Sequence, residues 1–211
     1  TTTAGVTLAA NSDLSAPAAL NGGSITVGGN ATTALARGNT ATNALNYAAG
    51  ANYGTGTGNP AHSSLAVNGG DAGVNGVAVA QAAVLNAQVN TGAVSASAGD
   101  VMNGVVLNGD GGFPLVTNGS VRVAGNSVSA AAYGNTANNR LTLASLNTGQ
   151  PTAAVANYQA NSGPVTASIT SVTYGVGTGF GSTTGSALSV TGNQVTATAV
   201  GNSAVNTIGA Q

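Results

Sequence analysis

Catalysis needs a nucleophile, a proton carrier or a metal, and this chain offers few groups for any of them. Its charged side chains are Arg37, Arg122, Arg140, Asp13, Asp71, Asp100 and Asp110, beside a single histidine, His62, with no Cys, Lys or Glu. A His–nucleophile pair or a multi-histidine metal site needs partners that the sequence around His62 does not mark. Beside Asn59-Pro60 it reads as a solvated loop histidine. Asp71 (NGGDAG) and Asp110 (NGDGG) sit in Gly-rich turns and read as turn formers. The alternative, a calcium ligand of the G-G-x-G-x-D kind, requires repetition at a short period that is absent. The G-x-G runs at Gly54–Gly58 and Gly175–Gly181 have no following Lys and no helical context, so they read as Gly-rich loops and not as phosphate cradles. A β-helical polysaccharide lyase or hydrolase would need clustered carboxylates or basic residues in a groove. The expectation is a non-enzyme with no catalytic residue, no cofactor and no metal site.

The groups that do recur are amides. Three stretches superimpose without a gap: 24–47 (SITVGGNATTALARGNTATNALNY), 120–143 (SVRVAGNSVSAAAYGNTANNRLTL) and 187–210 (ALSVTGNQVTATAVGNSAVNTIGA). These A modules agree at Val27, Gly29, Asn30, Ala34, Ala36, Gly38, Asn39, Ala41 and Asn43 of the first copy. The matching Gly-Asn pairs are Gly125-Asn126, Gly134-Asn135, Gly192-Asn193 and Gly201-Asn202, and Asn139 and Asn206 match Asn43. A second module, B, occurs at 82–101 and 153–172 and places Gln88 with Gln159 and Asn90 with Asn161. Stacked amides can donate one to the next along a pile of strands. The competing role is capping of turns. For the Gly-Asn pairs, capping is the preferred reading. For Asn43 and Gln88, within strand-like alternation, ladder and cap are both open.

Such amides need elements to hold them. Ile25, Val27, Thr32, Ala34, Ala36, Ala41 and Leu45 alternate with polar residues, and the phase changes at each Gly-Asn. That pattern predicts three short strands with tight corners, where Gly tolerates the backbone and Asn the left-handed region. Residues 64–80 resemble a degenerate fourth A. The stretches 48–63, 102–119 and 173–186 read as loops or long corners. Residues 1–23 read either as carrying a strand at Gly5–Ala10, which pairs within the chain or is donated to a neighbouring subunit, or as a loosely ordered terminus. The expected fold is all-β: a β-solenoid array over 24–211, with β-sandwich-like units exchanging a strand as the alternative.

Composition narrows the function. Charged residues are 3% of the 211, against roughly 25% in ordinary soluble domains. Near-zero net charge leaves no electrostatic footprint for nucleic acid or an anionic membrane, and it favours association. Aromatics are 3% with no Trp, which suits a thin interior of Ala, Val and Thr. No apolar run reaches the roughly 18 residues of a membrane span. The Thr1-Thr2-Thr3 start reads as a processed, mature terminus.

Gly38-Asn39-Thr40-Ala41, Gly134-Asn135-Thr136-Ala137 and Gly201-Asn202-Ser203-Ala204, each followed by Asn two positions on, resemble curlin-type repeats (Q-x-G-x-G-N-x-A-x-x-x-Q), with Asn in place of the second Gln. The Ala/Asn/Thr-rich, Lys-free text is similar to holdfast-anchor surface proteins, and Gly125–Ala130 to head repeats of trimeric autotransporters. The resemblance implies a secreted bacterial surface protein: a fibre or adhesive-anchor subunit that polymerises head-to-tail with itself through strand edges and contacts surface polysaccharide. The alternative is a solenoid that binds glycan or ice.

Overall fold

A computed structural model describes residues 2–15, 20–49, 63–68, 75–80, 82–108, 114–145, 153–178 and 182–210, and every regular element among them is a β-strand. His62, Asp71, Asp110 and the Gly54–Gly58 run lie outside the described residues. The first layer holds β1 (Thr2–Ser15), β2 (Leu20–Asn21), β3 (Ser24–Gly28) and β4 (Ala31–Ala49). An antiparallel pair follows, β5 (Ser63–Asn68) with β6 (Asn75–Ala80). The second layer holds β7 (Ala82–Asn90), β8 (Val94–Asn108), β9 (Pro114–Thr117), β10 (Ser120–Ala124) and β11 (Ser127–Ser145). The third repeats it with β12 (Ala153–Asn161), β13 (Val165–Thr178), β14 (Ser182–Thr184), β15 (Ala187–Thr191) and β16 (Gln194–Ala210).

Each strand pairs in parallel with its counterpart in the next layer, giving the orders β1-β8-β13, β2-β9-β14, β3-β10-β15 and β4-β11-β16, with β7 on β12. Identical sequence positions therefore meet: Asn39 lies beside Asn135, and Asn135 beside Asn202. β1 pairs with β8 of its own chain, with a register shift between Thr7 and Ala9. Sandwich units are built from antiparallel sheets, and the layer-to-layer pairing here is parallel, so that alternative does not describe these layers.

Alternation decides which side chains enter the interior. Val128, Ala130 and Ala132 of β11 are buried, with Val94, Ala96, Ala98 and Val101 of β8 packed opposite. Val105, Val116, Val121 and Val123 form a second cluster, and Val84, Leu141 and Leu143 a third. Parallel strands read as Val- and Ala-rich for this reason: one face must be covered by another sheet. Small side chains let the opposing sheets close without a bulky core.

The interior phase flips at two kinds of place. Gly29, Gly125 and Gly192 occupy one corner in the three layers, with φ of 73°, 66° and 65°. Only glycine takes that region without cost. The second Gly-Asn is different. It was expected to be a corner, yet β11 runs unbroken through Gly134-Asn135, both of which are buried. Two consecutive inward residues bend the strand and switch its phase, from Val128, Ala130 and Ala132 to Ala137, Asn139 and Leu141. Glycine is required here by proximity: a Cβ on Gly134 would overlap the carbonyl oxygen of Gly201, and one on Gly38 that of Gly134.

Three further expectations are corrected. Residues 64–80 are not a fourth A copy in the stack, because β5 and β6 pair antiparallel with each other. The stretches 102–119 and 173–186 are not mainly loops: β8 continues to Asn108 and β13 to Thr178, so Gly175 and Gly177 lie in a strand. Their phase changes at Asp100 (φ 53°) and Ser171 (φ 54°), neither of which belongs to a Gly-Asn pair.

Candidate functional site: amide ladders and open stack ends

The recurrent asparagines form continuous side-chain ladders across the layers. Asn30 Nδ2 donates to Asn126 Oδ1 (3.0 Å), and Asn126 Nδ2 donates to Asn193 Oδ1 (3.0 Å). Asn39 donates to Asn135 and Asn135 to Asn202, each at 2.9 Å. Asn43 donates to Asn139 and Asn139 to Asn206, each at 2.8 Å. The Gly-Asn pairs, for which turn capping was the preferred reading, are thus ladder members. Their amides point inward, and Asn126, Asn135 and Asn139 are 0% exposed. Burial explains the outcome: an interior amide must find partners, and the next layer offers an identical group about 4.8 Å away.

Several of these amides also use their second proton, on a backbone carbonyl of a neighbouring strand. Asn126 Nδ2 also bonds the carbonyl of Val27 and Asn193 Nδ2 that of Val123. Asn39 Nδ2 bonds the carbonyl of Val89, and Asn135 Nδ2 that of Ala160. The last two tie β4 to β7 and β11 to β12 across the interior, and the first two link successive layers. The B modules contribute their own rungs: Asn86 to Asn157 (2.6 Å), Asn90 to Asn161 (2.7 Å) and Gln159 to Gln88 (2.7 Å). Asn90 and Asn161 also cap, donating to Gly92 and Gly163 two residues on. Gln88 reaches the carbonyl of Thr136 and Gln159 that of Ser203. The ladder at Asn86 was not singled out from sequence, although it shares the alternation of Gln88.

Ladder polarity is uniform in the A modules. Every rung runs from a first-layer Nδ2 to a second-layer Oδ1, and from a second-layer Nδ2 to a third-layer Oδ1. At the first-layer end, no donor among the described residues reaches the Oδ1 of Asn30, Asn39 or Asn43. At the third-layer end, the Nδ2 of Asn206 has no acceptor among them. β3, β4, β15 and β16 each pair on one side only.

The two ends differ in cover. Val121, Val123, Val128 and Leu141 of the second layer are 0–1% exposed. Their third-layer counterparts Leu188, Val190, Val195 and Ile208 are 42%, 46%, 52% and 53% exposed. In the first layer, Ala34 and Ala36 remain buried. β4 touches both β1 and β8 across the interior, whereas β16 faces β13 and β12, with no strand of a further layer beyond them.

One buried amide breaks the pattern. Asn103 is 0% exposed, and neither its Oδ1 nor its Nδ2 has a partner. Its neighbours in register are Ala10 and Tyr174, so no ladder forms there. Tyr174 donates its hydroxyl to the carbonyl of Gln194 (3.0 Å), and desolvation raises its pKa above the ordinary tyrosine value.

The outer surface is sparse in charge. Arg37, Arg122 and Arg140 point outward, and Arg37 lies 5.9 Å from the centre of the Tyr133 ring. Hydroxyls pair along the outside of the stack, with Ser129 donating to Thr33 and Thr136 to Thr40, each at 3.1 Å. A shallow groove over Asn138, Arg140, Thr142, Val205 and Thr207 is open to solvent. Among the described residues, no group of three or more His, Cys, Asp or Glu is placed to hold a metal, and no helix is long and apolar enough to cross a membrane. Comparison of the chain with protein-family models, curated proteins and solved structures finds no match.

Proposed function

We propose that the three layers are coils of a β-solenoid and that the chain is a structural subunit of a self-assembling extracellular fibre or adhesive surface anchor of a bacterium. The observation that carries this reading is the third layer. It presents core-type side chains, Leu188, Val190, Val195 and Ile208, about half exposed beside unpaired strand edges. Fully burying such a side chain is worth about 1.5–3 kcal/mol, and an open parallel edge is a template for another strand. Soluble monomers blunt such edges with Lys, Pro or inward charge, and this chain has no Lys. The low-charge, Asn-, Thr- and Ser-rich composition and the curlin-like Gly-Asn text support a place outside the cell. Surface polysaccharide is the partner an adhesive anchor would hold.

The test is electron microscopy with analytical ultracentrifugation of the purified chain across a concentration series. Fibres whose axial diffraction repeat is near 4.8 Å are expected. A protein that stays monomeric at high concentration refutes the proposal. A second reading, a glycan-binding module, is favoured by the outward hydroxyl pairs Ser129–Thr33 and Thr136–Thr40. It predicts saturable binding to an immobilised neutral glycan by the monomer. The same hydroxyls carry the ice-binding variant, for which thermal hysteresis is the measurement.

A further inference from the structure

We infer that the third layer of one copy receives the first layer of a second copy in the register already used inside the chain, and that Gly201 is the position which makes room for it. This rests on the fibre reading above and adds to it the polarity of the contact and the residues that meet.

Gly38, Gly134 and Gly201 occupy one column. The first two are glycine for an internal reason, since a Cβ on either would overlap the carbonyl of the next glycine in the column. Gly201 has no such reason. The nearest atom to a Cβ built there is the Nδ2 of Asn161 at 3.7 Å, an ordinary contact, and its φ lies outside the left-handed region. It lies in no turn and caps no helix; it sits within the 17-residue strand β16. A next layer in the same register would bring its Gly38 carbonyl into the open space beside Gly201, as Gly134 and Gly201 bring theirs to Gly38 and Gly134.

The rest of the two end layers match by the same register. Continuing it sets Leu188 on Ile25, Val190 on Val27 and Ile208 on Leu45 of the second copy, apolar on apolar. It sets Asn193, Asn202 and Asn206 on Asn30, Asn39 and Asn43. The third layer brings amide protons and the first layer brings the Oδ1 atoms that no donor reaches, so the ladders run on without reversal. Third layer against third layer would set donor against donor. The contact is therefore heterologous and does not close on itself.

The test uses two variants, each checked for an unchanged far-ultraviolet spectrum and melting temperature. Gly201→Ala blocks the third layer, and Ile25→Lys places a charge on the first. Sedimentation of wild type, each variant and their equimolar mixture is then compared. The expected result is fibres from the wild type, a rise of at least about 100-fold in the critical concentration for Gly201→Ala, monomers for Ile25→Lys alone, and a dimer from the mixture that stops there. Polymerisation of Gly201→Ala at the wild-type concentration overturns the inference while leaving the fibre reading intact. A dimer of Ile25→Lys alone overturns it too, because it reports third layer on third layer. A monomeric wild type overturns the fibre reading itself.

Discussion

Asn103 and Asn135 are the same residue type, both in long central strands and both 0% exposed. The structure gives them opposite roles, so one substitution should have opposite signs at the two sites. Leucine has the branching and heavy-atom count of asparagine and replaces amide by methyl groups with little change of shape. At Asn135 it removes three bonds: the one accepted from Asn39 (2.9 Å), and those donated to Asn202 (2.9 Å) and to the carbonyl of Ala160 (2.8 Å). At a net 0.5–1.5 kcal/mol per bond, the loss is roughly 2–5 kcal/mol, with the orphaned carbonyl placing it toward the upper end. At Asn103 no bond is lost, and two desolvated polar atoms are removed. The gain is about 1–3 kcal/mol. For a chain of this size a kcal/mol moves the melting temperature by about 2–4 °C. Circular dichroism melts in the Gly201→Ala background, at a concentration where sedimentation reports monomer, should show Asn103→Leu melting several degrees higher and Asn135→Leu melting about 5–15 °C lower. If Asn103→Leu melts lower by more than a few degrees, the amide is bonded in solution, to a water held beside it, and the reasoning fails at that site. If Asn135→Leu is neutral, the ladders do not contribute to stability and are a by-product of register.

Two further outcomes are expected. Ser171 is exposed and held at φ 54°, so Ser171→Gly should relieve left-handed strain and stabilise by up to about 1 kcal/mol, read as a higher urea midpoint. Tyr174 has a raised pKa in the folded chain because burial disfavours the phenolate. Its contribution to stability is present below the unfolded value near 10 and declines as pH rises through the folded value, where the bond to Gln194 is also lost. Alkaline denaturation should start at higher pH in Tyr174→Phe; identical profiles would show that other groups govern that limb.

Much of this arrangement was legible in residue order. The gapless A copies specify the register, because a one-residue slip would drive Val128, Ala130 and Ala132 out of the interior. The phase change at each Gly-Asn was visible as well. What it meant was not: a Gly that turns a corner and a Gly that only admits a close carbonyl look alike in text, and Gly125 and Gly134 differ by φ and by neighbours. The ladder role of the Gly-Asn asparagines was missed because a local cap needs only nearby residues. Asn39 and Asn135 lie 96 apart in sequence, a separation that only the folded stack makes short. The turns at Asp100 and Ser171 are not marked by a Gly-Asn pair, so β8 and β13 were read as ending early.

The spacing between equivalent residues is unequal from one layer to the next. Asn135 follows Asn39 by 96 residues and precedes Asn202 by only 67, a difference of 29. The register of β4 on β11 is nevertheless as regular as that of β11 on β16. Most of the extra length lies in the passage from β4 to β7, which carries β5 and β6, and it leaves the register of the pile unchanged. Polypeptide can lengthen there without disturbing a single rung.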